Sequence, residues 1–308
     1  MRVLVTGATG FAGRHLTATL VAAGHEPLGF GGPHDAPPAL DLLDADAVRA
    51  AVAGARPDAV VHLAGQAFVP PSIADPLPTL AVNATGTAHV LEAVRALGGR
   101  VRTLIVSSAE VYGRQRPERM PLDETVPLRP DNPYAASKVA VETYAAVWSR
   151  CYGLDVVIAR PFNHIGPGQD ARFVVPSFAH QLAGIAAGAP PQLSVGNLAA
   201  QRDFLDVRDV TAAYLALLEN GRSGEVYNVC SGHAVAIQEV LRQLITIAHV
   251  PVEVRDDPAR MRPSDVPLLC GDAAKLRSET GWQPAMTLAA SLRDIYADAR
   301  ERVAAALR

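Results

Sequence analysis

Residues 1–13 read MRVLVTGATGFAG, and this opening decides the fold. Val3 to Thr6 is a short apolar run, and it passes at once into Gly7-Ala8-Thr9-Gly10-Phe11-Ala12-Gly13, where a helical pattern begins that continues from Phe11 to Ala23. A strand, a glycine turn and a helix in that order make a phosphate cradle. Gly7 permits the tight turn, Gly10 lets the backbone approach a diphosphate, and Gly13 lets the helix pack close to the strand. The helix N-terminus adds unpaired amides and positive dipole density. Gly7, Thr9, Gly10, Phe11, Ala12 and Gly13 are therefore candidate dinucleotide contacts.

Working outward, strands are predicted over Glu26–Phe30, Ala59–Leu63, Val101–Ser107 and Asp155–Ala159, and helices over Ala47–Ala53, Thr79–Leu97 and Tyr134–Tyr152. The strand runs are continuously apolar, as strands buried on both faces require. Their alternation with helices predicts an α/β fold, a doubly wound parallel sheet of the Rossmann type with right-handed crossovers. After about Pro161 the chain becomes irregular and rich in Gly and Pro, with helices over Val210–Glu219, Ile237–Ile247 and from Leu288 to about Leu307. The predicted organisation is a dinucleotide domain over 1–162, to which 203–230 return, and a smaller C-terminal α/β substrate domain built from 163–202 and 231–308.

Composition narrows the function. With 308 residues, 49% hydrophobic and 19% charged, the chain can build a real core and is not disordered. A net charge of −3 and 5% aromatics argue against a nucleic-acid partner. The N-terminal apolar run is too short for a signal peptide, and no apolar stretch reaches the roughly 18 residues of a membrane span. A cytoplasmic protein without a membrane partner is expected. Cys151, Cys230 and Cys270 lack metal-ligand spacing and read as buried small hydrophobes in a reducing compartment, so no metal site is expected.

The second strand, HEPLGF, runs into Gly31 and Gly32, so no carboxylate stands at its tip; Asp35 comes later. Without an acidic group to hold the ribose diol there is room for a 2′-phosphate, and NADPH is the expected cofactor. No Arg stands nearby, only His34, so NADH is expected to be accepted as well. Asp41-Leu42 is expected on the adenine side, after a third strand, and Leu63-Ala64-Gly65, ending the fourth, should pass along the cofactor.

Tyr134-Ala-Ala-Ser-Lys138 places a phenol and an ammonium four apart on one helix face. The ammonium and an oxidised nicotinamide should favour phenolate, making Tyr134 a general acid/base. The helix follows PLRPDNP, which should set Tyr134 at an open cleft edge. The fifth strand ends in VSSAEVYG, and Ser108 at such a strand end is the candidate donor to a substrate carbonyl. Glu110 should point the same way if the extended backbone continues; it is either a second acid/base or a solvated turn residue.

TGATGFAG, VSSAEVYG, YAASK and TGWQP together resemble the extended short-chain dehydrogenase/reductase family over nearly the whole chain. ARPFNHIGPGQ, QRDFLDVRDV, VYNVCSG and ARMRPSDVP narrow the resemblance to GDP-4-keto-6-deoxy-D-mannose reductases, which form GDP-D-rhamnose. The resemblance implies a GDP-linked keto-deoxy sugar as substrate, Tyr134 as proton donor, Lys138 as its partner and Ser108 as second donor. It places Pro161 beside the cofactor and Asn163 on the sugar or its diphosphate. Arg202, and Arg262 with Asp265, would hold the nucleotide. His164 is expected to be a packed or hinge residue and Trp282 a packing anchor. The family pattern implies a homodimer through the helices Thr79–Leu97 and Tyr134–Tyr152. Rival readings are a GDP-mannose 4,6-dehydratase, which Glu110 supports, a UDP-sugar 4-epimerase, and a non-enzymatic dinucleotide sensor.

Overall fold

A computed structural model describes residues 1–35, 38–261 and 266–308. Its large sheet is parallel throughout. In chain order its strands are β1 (Arg2–Thr6), β2 (Glu26–Phe30), β3 (Ala59–His62), β4 (Arg102–Val106) and β5 (Val156–Pro161), and a late strand, Val226–Val229, pairs with β5 at the edge. The spatial order is β2-β1-β3-β4-β5 and then the late strand. Strand order reverses between β1 and β3, and a doubly wound sheet opens its ligand crevice at such a switch point. The third strand expected ahead of Asp41 is only an isolated bridge between Gly31 and Ala39.

Both faces of the sheet are covered. Val3 and Val5 of β1 pack with Leu16 and Leu20 of α1 (Phe11–Ala22), whereas Leu4 faces Val48 and Val52 of α2 (Ala45–Ala55). The helix expected over Thr79–Leu97 is interrupted. Short helices α3 (Val69–Ala74) and α4 (Pro76–Leu80) lead into a π-helical turn, Ala81–Thr85, and then α5 (Gly86–Leu97). The turn puts Asn83 where its side chain serves the site described below. Helix α6 (Pro133–Tyr152) starts where Asn132 caps it, its Oδ1 accepting from the Ala135 amide at 2.8 Å.

The smaller lobe gathers β6 (Asn163–Ile165), α7 (Val174–Ala186), β7 (Gln192–Val195) and β8 (Gln201–Asp206). The chain then re-enters the large unit through α8 (Val207–Asn220), which packs beside α1, and through β9, the late strand Val226–Val229. Residues 201–206 pair in the small sheet, β10 (Ala234–Ala236) to β8 to β12 (Leu268–Leu269), with β6 also on β8. The lobe is completed by α9 (Ile237–Ala248), β11 (Glu253–Asp256) and α11 (Leu288–Ala306), whereas α10 (Ala274–Thr280) packs on α8 and β9 of the large unit. Its own core includes Phe178, Leu193, Leu241, Leu244 and Ile295. Trp282 is buried, and its indole N–H donates to the Asp209 carbonyl at 3.0 Å. Cys230 and Cys270 are buried, but Cys151 is exposed on α6, contrary to expectation. No helix among the described residues is long and apolar enough to cross a membrane.

The approach of α1 to its own loop is the tightest constraint in this frame. A Cβ on Gly13 would lie 2.1 Å from the Gly7 carbonyl oxygen and 2.7 Å from the Ala8 Cα, both backbone atoms. We expect Gly13→Ala to lower unfolding stability by at least about 2 kcal/mol, as overpacking against backbone does. A urea midpoint equal to that of the wild type would show that the loop gives way.

Candidate active site

A cavity of about 970 Å³ opens at the C-terminal edge of the large sheet, between it and the smaller lobe. One end is the glycine loop. Gly7 adopts φ +73°, and a Cβ there would lie 2.9 Å from the Ala64 backbone, so the turn sits against the segment after β3. Helix α1 begins at Gly10 with no capping side chain and no acidic residue in its first turn. Its first amides and its dipole are thus available to an anion, and a dinucleotide diphosphate fits this cradle.

Gly7, Thr9, Gly10, Phe11, Ala12 and Gly13 all line the cavity, as do Leu63, Ala64, Gly65, Pro161, Ser108, Glu110, Tyr134, Lys138, Asn163 and Arg202. Asp41 and Leu42 do not. Asp41 is exposed and accepts from the Leu43 amide, while Leu42 is buried in the core under α5. Arg262 and Asp265 lie outside the described residues. Asp35, set aside as too late in the chain, folds back to the cavity: its Oδ2 accepts from the Gly32 amide at 2.7 Å and from the Thr9 hydroxyl. A carboxylate therefore does stand near the tip of β2.

Tyr134 and Lys138 project from the first turns of α6, and Ser108 stands just past β4. The phenol is 7% exposed, so it lies inside the cavity and not at an open edge. The Ser108 side chain hydrogen-bonds it, and Ser108 Oγ also accepts from the Glu110 amide at 3.2 Å. The Lys138 ammonium donates to the Val106 carbonyl at 2.9 Å. Burial pushes the phenol up to about 12, opposed by the bond from Ser108 and reinforced by the charge of Glu110. The expected lowering of the Tyr134 pKa is not what the protein's own groups produce, because desolvation outweighs them. They hold the phenol protonated, as a proton donor must be. Burial also brings Lys138 down to about 8, against the charge of Glu142, which favours the ammonium.

The backbone after Ser108 does not stay extended. Residues Ala109–Tyr112 form a 3₁₀ turn. Glu110 nevertheless lines the cavity, and its carboxylate accepts from the Asn132 amide group at 3.2 Å. Asn163 opens β6 and Arg202 lies on β8, so both face the cavity from the smaller lobe. His164 stacks on Phe11 with ring centroids 5.8 Å apart, and burial lowers its pKa. Among the described residues no group of His, Cys, Asp and Glu could hold a metal ion.

Behind the cavity runs a buried chain of hydrogen bonds centred on His62. The Thr87 hydroxyl donates to the Asn83 carbonyl at 2.6 Å, so it must accept from His62 Nε2, 3.0 Å away. His62 Nδ1 is then the acceptor for the Thr6 hydroxyl at 2.7 Å, and Thr6 Oγ1 in turn accepts from the Ala64 amide at 3.3 Å. Burial, with the nearby Lys138 charge, lowers His62 to about 3 and keeps the ring neutral. Asn83 carries the chain forward: its side chain bonds the backbone of Gln66 in both directions and donates to Ser137 Oγ, which donates to the Tyr134 carbonyl at 2.7 Å.

Sequence reasoning missed other wall residues. Arg172 lies 5.1 Å over the Phe68 ring, which meets Phe173 edge to face at 5.3 Å, and Arg260 donates to Ser177 Oγ at 3.0 Å. Their signal was weak: GQDARF and ARM adjoin motifs already quoted, but nothing in the spacing aims them inward.

Comparison with known proteins finds relatives along nearly the whole chain. A family model described as GDP-mannose 4,6 dehydratase matches residues 38–295. The GDP-6-deoxy-D-mannose reductase of Pseudomonas aeruginosa is 44% identical over 303 residues, covering 98% of both chains. A solved structure of RMD from Pseudomonas aeruginosa complexed with NADPH has TM-score 0.90 at 41% identity, covering 98% of this chain and 100% of that one. The UDP-glucose 4-epimerase of Thermus thermophilus in complex with NAD has TM-score 0.87 at 34% identity, covering 97% of this chain and 99% of that one.

The depressed pKa of His62 makes a testable link to stability. Between pH 6.5 and about 3 the unfolded chain binds a proton at this ring that the folded chain excludes. Stability must therefore fall as pH drops through that window, by about 1.4 kcal/mol per pH unit for each such histidine. His164, also depressed, adds its own share. We expect His62→Gln to be less stable at pH 7 but to lose less stability between pH 6.5 and 5, by urea denaturation at each pH. An equally steep loss would remove His62 as a source.

Proposed function

The chain belongs to the GDP-mannose 4,6 dehydratase family of extended short-chain dehydrogenases/reductases, and from this we propose that it reduces the 4-keto group of GDP-4-keto-6-deoxy-D-mannose to give GDP-D-rhamnose. The observation that carries the reading is the convergence of the Tyr134 phenol, the Ser108 hydroxyl and the Lys138 ammonium on one cavity with the glycine loop. The 44% identical reductase favours ketone reduction over dehydration, although the family takes its description from the dehydratase. A sensor without chemistry has no need of the three catalytic groups together.

A nicotinamide dinucleotide, NADPH with NADH also accepted, supplies the hydride when bound at the loop. Tyr134 donates its proton to the oxygen of the substrate's C4 carbonyl as negative charge develops there. Ser108 donates a second hydrogen bond to that oxygen. Lys138, still mainly ammonium at pH 7, holds positive charge beside the reacting groups and is placed to bond the cofactor ribose. Asn163 and Arg202 hold the sugar and diphosphate from the smaller lobe, since a guanidinium fork suits phosphate oxygens.

The helix surface supports a homodimer. Tyr144, Trp148 and Tyr152 form a ladder along α6 with ring centroids 5.9 and 5.6 Å apart, and Arg95 of α5 lies 5.4 Å over Tyr152. Tyr144 and Tyr152 are 37% and 55% exposed, a large aromatic surface for helices α5 and α6 to bury against a second copy. In sedimentation, wild type should run as a dimer and the Tyr144→Glu, Tyr152→Glu double variant as a monomer. An unchanged dimer would move the interface elsewhere.

Mixing the protein with GDP-4-keto-6-deoxy-D-mannose and NADPH should consume one dinucleotide per sugar and yield GDP-D-rhamnose. Unchanged dinucleotide absorbance, or turnover of GDP-mannose without net consumption, counts against the reductase reading. Tyr134→Phe should lose about 10²–10⁴-fold in kcat with its melting temperature retained. Wild-type turnover in that variant removes Tyr134 from the mechanism.

A further inference from the structure

We propose that Arg260 selects the base of the sugar nucleotide, its guanidinium fork pairing with O6 and N7 of a guanine. The inference rests on the reading that the cavity takes a nucleotide-linked sugar, and it assigns the choice of base to one side chain. The reacting sugar has to meet Tyr134 and Ser108 at the large sheet. The base, at the other end of the same ligand, then lies within the smaller lobe. The cavity wall there includes Ser177, Gly196, Leu198, Arg260 and Met261.

This end is built where a parallel strand pair stops. Strands β7 and β11 run in register to Val195 and Asp256, and the Asp257 amide donates to the Val195 carbonyl at 2.8 Å. The segments that follow the two strands are pressed together. A Cβ on Gly196 would lie 2.5 Å from the Arg260 carbonyl oxygen, so a glycine is needed for the Arg260 backbone to come so close. Asp257 caps the 3₁₀ turn Pro258–Arg260, its Oδ1 accepting from the Ala259 amide at 3.0 Å. The backbone that carries Arg260 is thus tied both to the strand pair and to its own cap.

The side chain is held at two points. Arg260 Nε lies 3.3 Å from Asp257 Oδ2, and Nη1 donates to Ser177 Oγ, buried on α7, at 3.0 Å. Nη2 makes no hydrogen bond to the described residues, so it and the second proton of Nη1 offer two donors side by side. Guanine presents a matching pair of acceptors, O6 and N7. Adenine carries a donor amino group in place of O6, and uracil has no N7, so neither satisfies the fork. Leu198 and Met261 add apolar surface for the face of a base.

The test is equilibrium binding of free nucleotides. Dissociation constants for GDP, inosine diphosphate, ADP and UDP are measured by isothermal titration calorimetry on the full chain saturated with NADPH, for wild type, Arg260→Met and Arg260→Lys. Melting temperatures confirm folding. Inosine diphosphate keeps O6 and N7 but lacks the 2-amino group of guanine. Wild type should bind GDP and inosine diphosphate alike, both about ten- to a hundredfold more tightly than ADP and UDP. Arg260→Met should lose that margin by weakening the first two and leaving ADP and UDP unchanged. Arg260→Lys keeps the charge without the fork and should lose most of it as well. Four results overturn the inference while leaving the cavity a nucleotide site: a wild type indifferent to the base, inosine diphosphate bound as weakly as ADP, GDP affinity unmoved in Arg260→Met, or an equal loss for all four nucleotides, which makes Arg260 a phosphate contact. A wild type that binds none of the four overturns the reading of the cavity, and this inference with it.

Discussion

A neutral, fully buried imidazole holds the active-site wall in register. His62 ends β3, and through its two nitrogens it joins the end of β1 at Thr6 to Thr87 of α5. The donor direction is set from the far end, because Thr87 gives its proton to the Asn83 carbonyl and can only accept from His62. Every partner is thereby satisfied, which is the condition for placing so much polarity in a core. Protonation would put two donors where the network needs one and set a cation near Lys138. The segment that passes under the glycine loop, Leu63 to Gly65, hangs on this chain through the Ala64 amide. A Cβ on Gly65 would fall 2.7 Å from Asn83 Oδ1, so the same network forbids a side chain there.

Lys138 makes the complementary demand. It carries charge into a desolvated site, and the structure answers with a buried carboxylate one turn on. Glu142 pairs bidentately with Arg160 at 2.8 and 2.7 Å and accepts from the Ser107 hydroxyl at 2.5 Å. Arg160 reaches on to the Tyr112 hydroxyl, which donates to Asn228 of β9. Removing one member of such a pair leaves an unmatched buried charge, typically worth about 3–5 kcal/mol. The ladder along α6 therefore runs Tyr134, Lys138, Glu142, from phenol to ammonium to carboxylate on one helix face, and the Glu142 charge favours the ammonium against the burial that lowers the Lys138 pKa.

The parts of this arrangement that depend on local spacing were legible in the sequence. The glycine loop, the four-residue step from Tyr134 to Lys138 and the apolar strands each follow from a short-range rule. What escaped depends on contacts between distant segments. In AVVHL, His62 reads as one more buried strand residue, since its partners lie 56 and 25 positions away. The π-helical turn at Ala81–Thr85 carries no breaker; it is stabilised by what Asn83 reaches. Asp35 was discounted by its distance from β2, because the turn that returns it is closed by one backbone bond to Gly32. Asp203 ties β8 to distant segments, accepting from the Ser231, Gly232 and Gly271 amides at 2.8, 3.0 and 3.2 Å, contacts that no local spacing announces.

The fold is shared by reductase, dehydratase and epimerase, so the chemistry turns on how the groups beside Tyr134 are committed. Glu110 is the residue on which a dehydratase reading depends, since such an enzyme needs a base at the sugar. Here its carboxylate accepts from Asn132, the residue that caps α6, and so helps fix the first turn carrying the phenol. Its charge also raises the Tyr134 pKa, opposing ionisation. Residue 110 is thereby tied to the turn that carries the phenol, on a scaffold whose other walls would serve either reaction.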